Sequence, residues 1–247
     1  MNCLVYTVVT RGYDVVEPIK EKFLRADTTF WLFTDDKQAI APKGWKIFFE
    51  KRKKNEDGFT YNRRLKFGYN LEFEKFNFVI YMDGSLKIKK NLDKVIDWCT
   101  ESEFNFSSPR HFLKHNLFEE ILHINKLGKG RGDEMQFYEK KIKPFQRDNI
   151  NVFENGIFIR KINKENLKAH INFSNRVLSY LHNFKVRDQV VVPLVLNEIN
   201  QEVKEFPFSF RNWKSPFSLK LHKNEEESLN FLKKIKFWIK TNLRLYA

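Results

Sequence analysis

Residues 76–82, Phe-Asn-Phe-Val-Ile-Tyr-Met, constrain this chain more than any other stretch. Almost nothing polar interrupts the run, and it stops at Asp83-Gly84-Ser85. A strand this apolar has no face for water, so it belongs in the middle of a sheet that is covered on both sides. The remaining sequence agrees. Strand-like and helix-like patterns alternate along most of the 247 residues, which predicts an α/β fold with a mixed, mostly parallel sheet.

Residues 3–9 (CLVYTVV), 29–33 (TFWLF), 45–49, 86–88, 104–108 and 152–162 read as further strands, the last with a turn at Asn155-Gly156. Residues 17–24, 61–73, 91–99, 115–127, 133–142, 166–182 and 188–198 read as helices. Pro18 opens the first of these and Asn91 caps the third. Residues 225–246 read as one long helix with Phe231, Leu232, Ile235, Trp238, Ile239 and Tyr246 on one stripe and Lys233, Lys236, Lys240 and Arg244 mostly off it. Such a helix lies on an anionic membrane or packs its stripe on the domain. No repeat or linker appears, so the expected organisation is one domain over 1–222 and a basic amphipathic helix over 223–247.

Composition removes some classes of function. No apolar run approaches the length of a membrane span. The first residues lack the basic and apolar regions of a secretory signal. Cys3 and Cys99 make neither a disulfide framework nor a zinc site. The expectation is a cytoplasmic, reduced protein, peripheral on the inner face of the membrane if the tail helix binds lipid. The sequons at Asn105 and Asn172 are then without meaning. There are 45 basic against 31 acidic residues, net +14. That field attracts nucleic acid, anionic lipid or phosphorylated ligands without choosing among them. No P-loop, GxGxxG, HExxH or GxSxG motif occurs, which sets aside the usual NTPase, dinucleotide, zinc-protease and serine-hydrolase sites.

Several residues stand where chemistry is done. Asp83 closes the central strand, and ligands of open α/β sheets bind at the carboxyl ends of such strands. A carboxylate there can hold Mg2+ or Mn2+. Asp83-Gly84 is equally a hairpin turn into 86–88. Asp35 or Asp36 can hold a ribose hydroxyl, or cap a helix over 37–40. Arg63, Arg64 and Lys66 open a helix and suit a diphosphate, or form a solvated basic face. Asp188 in Arg187-Asp188-Gln189 caps a buried helix or meets a ligand. His222 is a lone histidine, and lone histidines are usually not ligands.

The pieces come in the order VYTVVTRGYD, FTDD, GW, NRRLK, FVIYMDGSLKI, PRHFLKHNLFEEI, MQFYEKKIKP, ENGIFIRK and VRDQVVVPLVL. From about residue 4 to 197 this resembles the glycosyltransferase-like family of plant mucilage- and pollen-related putative glycosyltransferases and bacterial polysaccharide-locus proteins, long catalogued as of unknown function. The resemblance implies a GT-A fold, a Rossmann-like domain that binds a nucleotide-sugar. It implies that Thr7, Thr10, Gly12 and Tyr13 hold the nucleotide base. Asp35, Arg63, Arg64, Lys66, Asp83 and Gln189 complete the nucleotide-sugar site. The Asp-x-Asp motif of such enzymes reads Asp83-Gly84-Ser85, without its second Asp. The implied Mn2+ or Mg2+ would rest on Asp83, Ser85 and His222. Asn155, Gly156 and Arg160 would line the acceptor side.

An inverting transferase needs a carboxylate base, with Asp188 the first candidate and Glu120 the second. The implied function is transfer of a sugar from a nucleotide-sugar to a polysaccharide, lipopolysaccharide or lipid-linked glycan acceptor, with no nucleic-acid partner. The rivals are a catalytically silent relative that binds nucleotide or glycan, and a basic nucleic-acid-binding protein.

Overall fold

β1 (Cys3–Val9) is the hub of a seven-stranded sheet, and all seven of its residues are buried. In this computed structural model, residues 1–11, 13–113, 116–128, 134–144, 150–184, 186–212 and 214–220 and positions 233 and 239 are described. Gly12, His222 and the expected tail helix over 223–247, apart from those two positions, lie outside the described residues.

β1 pairs in parallel with β2 (Thr28–Thr34) on one side and with β4 (Phe78–Met82) on the other. The full order is β3-β2-β1-β4-β7-β6-β8, with β3 at Lys46–Phe49, β6 at Phe106–Ser108, β7 at Ile157–Lys161 and β8 at Val203–Glu205. β7 is antiparallel to both neighbours, and the other six strands share one direction. The fold is therefore α/β with a mixed, mostly parallel sheet, as the apolar central strand predicts.

Alternate residues feed two cores, one on each face of the sheet. Leu4, Tyr6 and Val8 of β1 join Val79 and Tyr81 of β4 under α1 (Gly58–Phe67), α3 (Leu117–Lys126), α5 (Leu167–Asn183) and α6 (Asp188–Glu198). Cys3, Val5 and Val9 join Phe78, Ile80 and Met82 under α2 (Asp93–Glu101). The latter face also carries a small antiparallel ribbon, β5 (Leu86–Ile88) with β9 (Phe217–Leu219). α4 (Glu134–Phe137) runs on into a wider turn at Tyr138–Ile142.

Several local expectations change. Asp83-Gly84 is not a hairpin turn, because β5 pairs with β9 and never with β4. The helix expected over 61–73 ends at Phe67, and a separate short turn follows at Leu71–Lys75. It starts earlier than expected because Asp57 caps it, accepting from Thr60 N at 2.7 Å. The helix expected over 17–24 shrinks to a single turn at Glu21–Phe23. Asn91 does not cap α2, which begins two residues later. No helix forms over 37–40, and Asp36 instead accepts from Gln38 N in a local turn.

His170 is wholly buried in α5, edge-on to Phe106, with Nε2 3.0 Å from Lys161 O. Burial, and then the nearby Arg160, pull its pKa down to about 4, against the hydrogen bond to Lys161. The unfolded chain therefore takes up a proton there before the folded one does, so stability falls as pH drops from about 6.5 toward 4. Thermal melts of His170→Gln should lose less over that window than melts of the wild type. Parallel curves would show that His170 does not titrate this way.

Candidate functional site

The strand order reverses beside β1: β2 and β3 lie to one side, and the chain then crosses to place β4 on the other. Loops leaving the carboxyl ends of β1 and β4 part there, and such a crevice is where open α/β sheets bind ligands. A cavity of about 410 Å3 opens at this place. Val8, Thr10, Tyr13 and Asp14 line it from β1 and its loop, and Asp83, Gly84 and Ser85 from the end of β4. Gly58, Phe59, Asn62 and Arg63 reach it from the first turns of α1, and Arg187 from the start of α6. Gly84 is small for a reason, since a Cβ there would stand 2.8 Å from Val9 Cγ2.

Beneath the cavity lies a buried ionic cluster. Lys66 Nζ is 3.1 Å from Asp83 Oδ1 and 3.3 Å from Asp188 Oδ2, with only 1% of its side chain exposed. Arg63 Nη2 donates to Asp188 Oδ1 at 2.9 Å. Tyr81 OH donates to Asp83 Oδ1 at 2.6 Å. Burial and the adjacent Asp83 raise the Tyr81 phenol well above its usual range, which keeps it a donor. Burial alone would raise the Asp188 carboxyl, but Arg63, Lys66 and Arg187 outweigh it and hold the group well below the usual carboxylate range. Asp188 is thus a fixed anion that orients two cations, a poor arrangement for taking a proton. Asp83 is different, because 34% of its side chain remains exposed toward the cavity.

Helical geometry sorts the basic triplet. Phe59, Asn62, Arg63 and Lys66 share the face of α1 turned to the sheet. Asn62 Nδ2 donates to Val8 O at 3.0 Å, and Arg63 Nη1 donates to Asn62 Oδ1 at 2.6 Å. Arg64 faces away and pairs with Glu56 at 2.7 Å and Glu50 at 3.2 Å. The expectation of three cations at one diphosphate is corrected to one in the cavity wall, Arg63, with Lys66 buried below it.

A second hollow, about 590 Å3, adjoins the ends of β2 and β3. Asp35 lines it, accepting from Arg11 N at 2.7 Å and from the Arg52 guanidinium. Asp36, Lys37, Gln38, Phe49 and Lys51 line the hollow with them.

The structure does not bring every expected residue to the cleft. Arg160 is 1% exposed and donates to Phe67 O at 2.8 Å, closing the carboxyl end of α1 among Phe73, Phe158 and Phe173. It cannot touch an acceptor from there. Glu120 is buried in α3 and is not among the described residues that line the cavity. Thr7 is buried within β1, and Val8 and Thr10 reach the cavity in its place. Gln189 ties α6 to the Phe153 carbonyl. Asn155 and Gly156 lie beside Asp83, whose N donates to Gly156 O at 2.8 Å.

Of the expected metal ligands, Asp83 and Ser85 line one cavity, and His222 lies outside the described residues. Asp83 Oδ1 is already taken by Tyr81 and Lys66. Among the described residues no three His, Cys, Asp or Glu side chains gather to hold an ion. Asp14, Asn62 and Arg187 join the cavity without having been expected there. The spacing 59, 62, 63, 66 carries a signal for Asn62, and Asp14 closes the VYTVVTRGYD motif, which singles out no role for it.

No protein-family model matches the sequence, and no curated protein matches it. Some solved structures resemble it in part. The bifunctional glycosyltransferase WbbM matches with TM-score 0.47 and 10% identity over 96% of this chain and 44% of that one. The glycosyltransferase GlyE of Streptococcus pneumoniae matches with TM-score 0.43 and 11% identity, over 83% and 45%. Mouse xyloside xylosyltransferase 1 matches with TM-score 0.42 and 11% identity, over 86% and 87%. The chain spans less than half the length of the first two. Among the described residues no helix is long and apolar enough to cross a membrane.

Asp188→Asn should cost about 3 kcal/mol at neutral pH, because it removes the buried carboxylate that pairs with Arg63 and Lys66. The native carboxylate is held below its unfolded pKa, so its contribution is present above about pH 4 and fades as the pH falls further. The gap in melting temperature between wild type and variant should therefore narrow in acid. A gap of constant size would assign the loss to packing alone.

Proposed function

We propose that the chain is a glycosyltransferase of GT-A architecture that moves a sugar from a nucleotide-sugar to a glycan acceptor. The observation that carries this is the cavity at the reversal of strand order, walled by Arg63 and Arg187 and floored by Asp83. The ordered motifs from VYTVVTRGYD to VRDQVVVPLVL supply the specific class.

In this reading the diphosphate lies against the first turn of α1, where Gly58 and Phe59 line the cavity and backbone N–H groups favour an anion. Arg63 and Arg187 face the same space. Thr10 and Tyr13 hold the nucleoside, and the Asp35 hollow extends that side of the cleft. As the bond from the sugar's anomeric carbon to the phosphate oxygen breaks, the electron pair stays on the diphosphate. Fixed guanidinium groups stabilise that charge where it develops. The acceptor hydroxyl oxygen forms the new bond to the anomeric carbon, and its proton passes to the departing diphosphate oxygen. Asp188 holds Arg63 and Lys66 in place for this step. The acceptor is a surface polysaccharide or lipid-linked glycan, reached at the inner face of a membrane.

A thermal-shift panel of UDP, GDP, CDP, CMP and ADP tests the reading, each with Mn2+ and with a chelator. One nucleotide should raise the melting temperature, by about 2.7 kcal/mol of stabilisation at a hundredfold excess over its dissociation constant. The shift should survive the chelator, because Arg63 and Arg187 supply the positive charge, and should largely vanish in Arg63→Met. A shift that appears only with Mn2+ would put a divalent cation beside Asp83. No shift with any nucleotide would sink the transferase reading.

A further inference from the structure

A third hollow, of about 300 Å3, lies where the first turns of α1 meet the last two turns of α5. Phe59, Leu178 and Leu181 form its apolar part. Lys53, Arg63, Arg64 and His182 bring nitrogen to it. The Arg63 guanidinium lies over the Phe59 ring at 4.4 Å, and both residues line this hollow as well as the cavity at the end of β4. The stacked pair is thus the partition between the two spaces.

Hydrogen bonds decide what kind of ligand fits. Glu56 is the one carboxylate among the residues that line the hollow, and both of its oxygens are taken. Oε1 accepts from Arg64 Nε at 2.7 Å, and Oε2 accepts from Arg64 Nη2 at 3.0 Å and from Lys53 N at 2.9 Å. Burial alone would raise this carboxyl, but Arg64 and the Lys53 N–H outweigh it and hold the group below the usual carboxylate range. Glu56 therefore stays charged and has little left to accept with. The donors are less committed. The Lys53 side chain is exposed, and its ammonium has no hydrogen bond or ion pair with a described residue. Arg64 spends three of its five N–H groups on Glu56 and Glu50.

Open donors beside a saturated acceptor favour a ligand that only accepts, which means an anion. They disfavour a neutral polyol, whose hydroxyls must also donate. The apolar wall adds a second condition. Phe59, Leu178 and Leu181 give a bare inorganic anion no contact it gains from, whereas they take an alkyl chain out of water. Lys53 and His182 are exposed and the two leucines half-buried, so charge stands at the mouth above an apolar wall. That order matches a molecule with an anionic head and an aliphatic body.

We propose that this hollow is a second binding site, for a phosphate monoester that carries an alkyl chain. The phosphate meets Lys53 and Arg64, and the first methylenes lie against Phe59, Leu178 and Leu181. The site does not rest on the transferase reading, because no nucleotide enters it or its test. Its ligand is a membrane lipid or a soluble alkyl phosphate, which present the same group. Calorimetry would compare octyl phosphate, kept below its micelle concentration, with inorganic phosphate, octanol and octylamine. Octyl phosphate should bind about tenfold more tightly than each of the three, since it alone has both parts. Lys53 is exposed, so Lys53→Met should melt with the wild type and bind octyl phosphate about tenfold more weakly. Leu181→Asn should lose a similar factor through its apolar contact. Arg187→Met alters the other cavity alone and should bind octyl phosphate as the wild type does.

Octyl phosphate that binds no tighter than one of its controls would overturn the proposal. So would full affinity in Lys53→Met or in Leu181→Asn, or an equal loss in Arg187→Met. Sedimentation with phosphatidylcholine vesicles, with and without phosphatidic acid, separates the two sources. Vesicle binding that needs both phosphatidic acid and Lys53 makes the ligand a membrane lipid. Octyl phosphate binding without vesicle binding makes it a soluble alkyl phosphate.

Discussion

The buried Lys66 ammonium, held between Asp83 and Asp188, is the contact that organises the site. It joins three elements that are distant in sequence: α1, the end of β4 and the start of α6. An ammonium without counter-charge is expensive to bury, and so is a carboxylate. With Arg63 the cluster sets two cations against two anions, and Arg187 adds a third positive charge near Asp188. These pairs tie α1 to the end of β4 and the start of α6 and form the floor of the cleft.

That floor explains why Arg63, at the cavity wall, keeps a fixed direction. Its guanidinium is held from one side by Asp188 and from another by Asn62, which is itself bonded to the carbonyl of Val8 in β1. Preorganised charge of this kind is what stabilises a developing anion at small reorganisation cost. Asp83 shares one oxygen with Tyr81 and Lys66 and still shows a third of its side chain to the cavity.

Much of the architecture is legible in the residues alone. The apolar run ending at Asp83 is β4 at the centre of the sheet, and CLVYTVV is β1 beside it. Asp83 does stand at the carboxyl end of that strand and lines the cavity there. Arg160 departs from its expected place for a physical reason. It follows a turn in a polar motif that suggests exposure, yet alternation along β7 points it into the core, where it bonds the end of α1. Arg64 and Lys66 look alike in the sequence, and a rotation of about 100° per residue sends one to Glu56 and the other to Asp83.

Apolar periodicity is a local property, so it suffices for the α/β class, for the central strand and for the residue that ends it. Which charges meet is a matter of packing. The carboxylate of Asp188 reaches Lys66 across more than a hundred residues of chain, and no spacing rule carries that distance. Folding paired Asp188 with Arg63 and Lys66, separated Arg64 from Arg63, and set Gly156 beside Asp83. Burial and pairing set the chemistry of an ionisable group, and both are properties of the packed chain rather than of the residue.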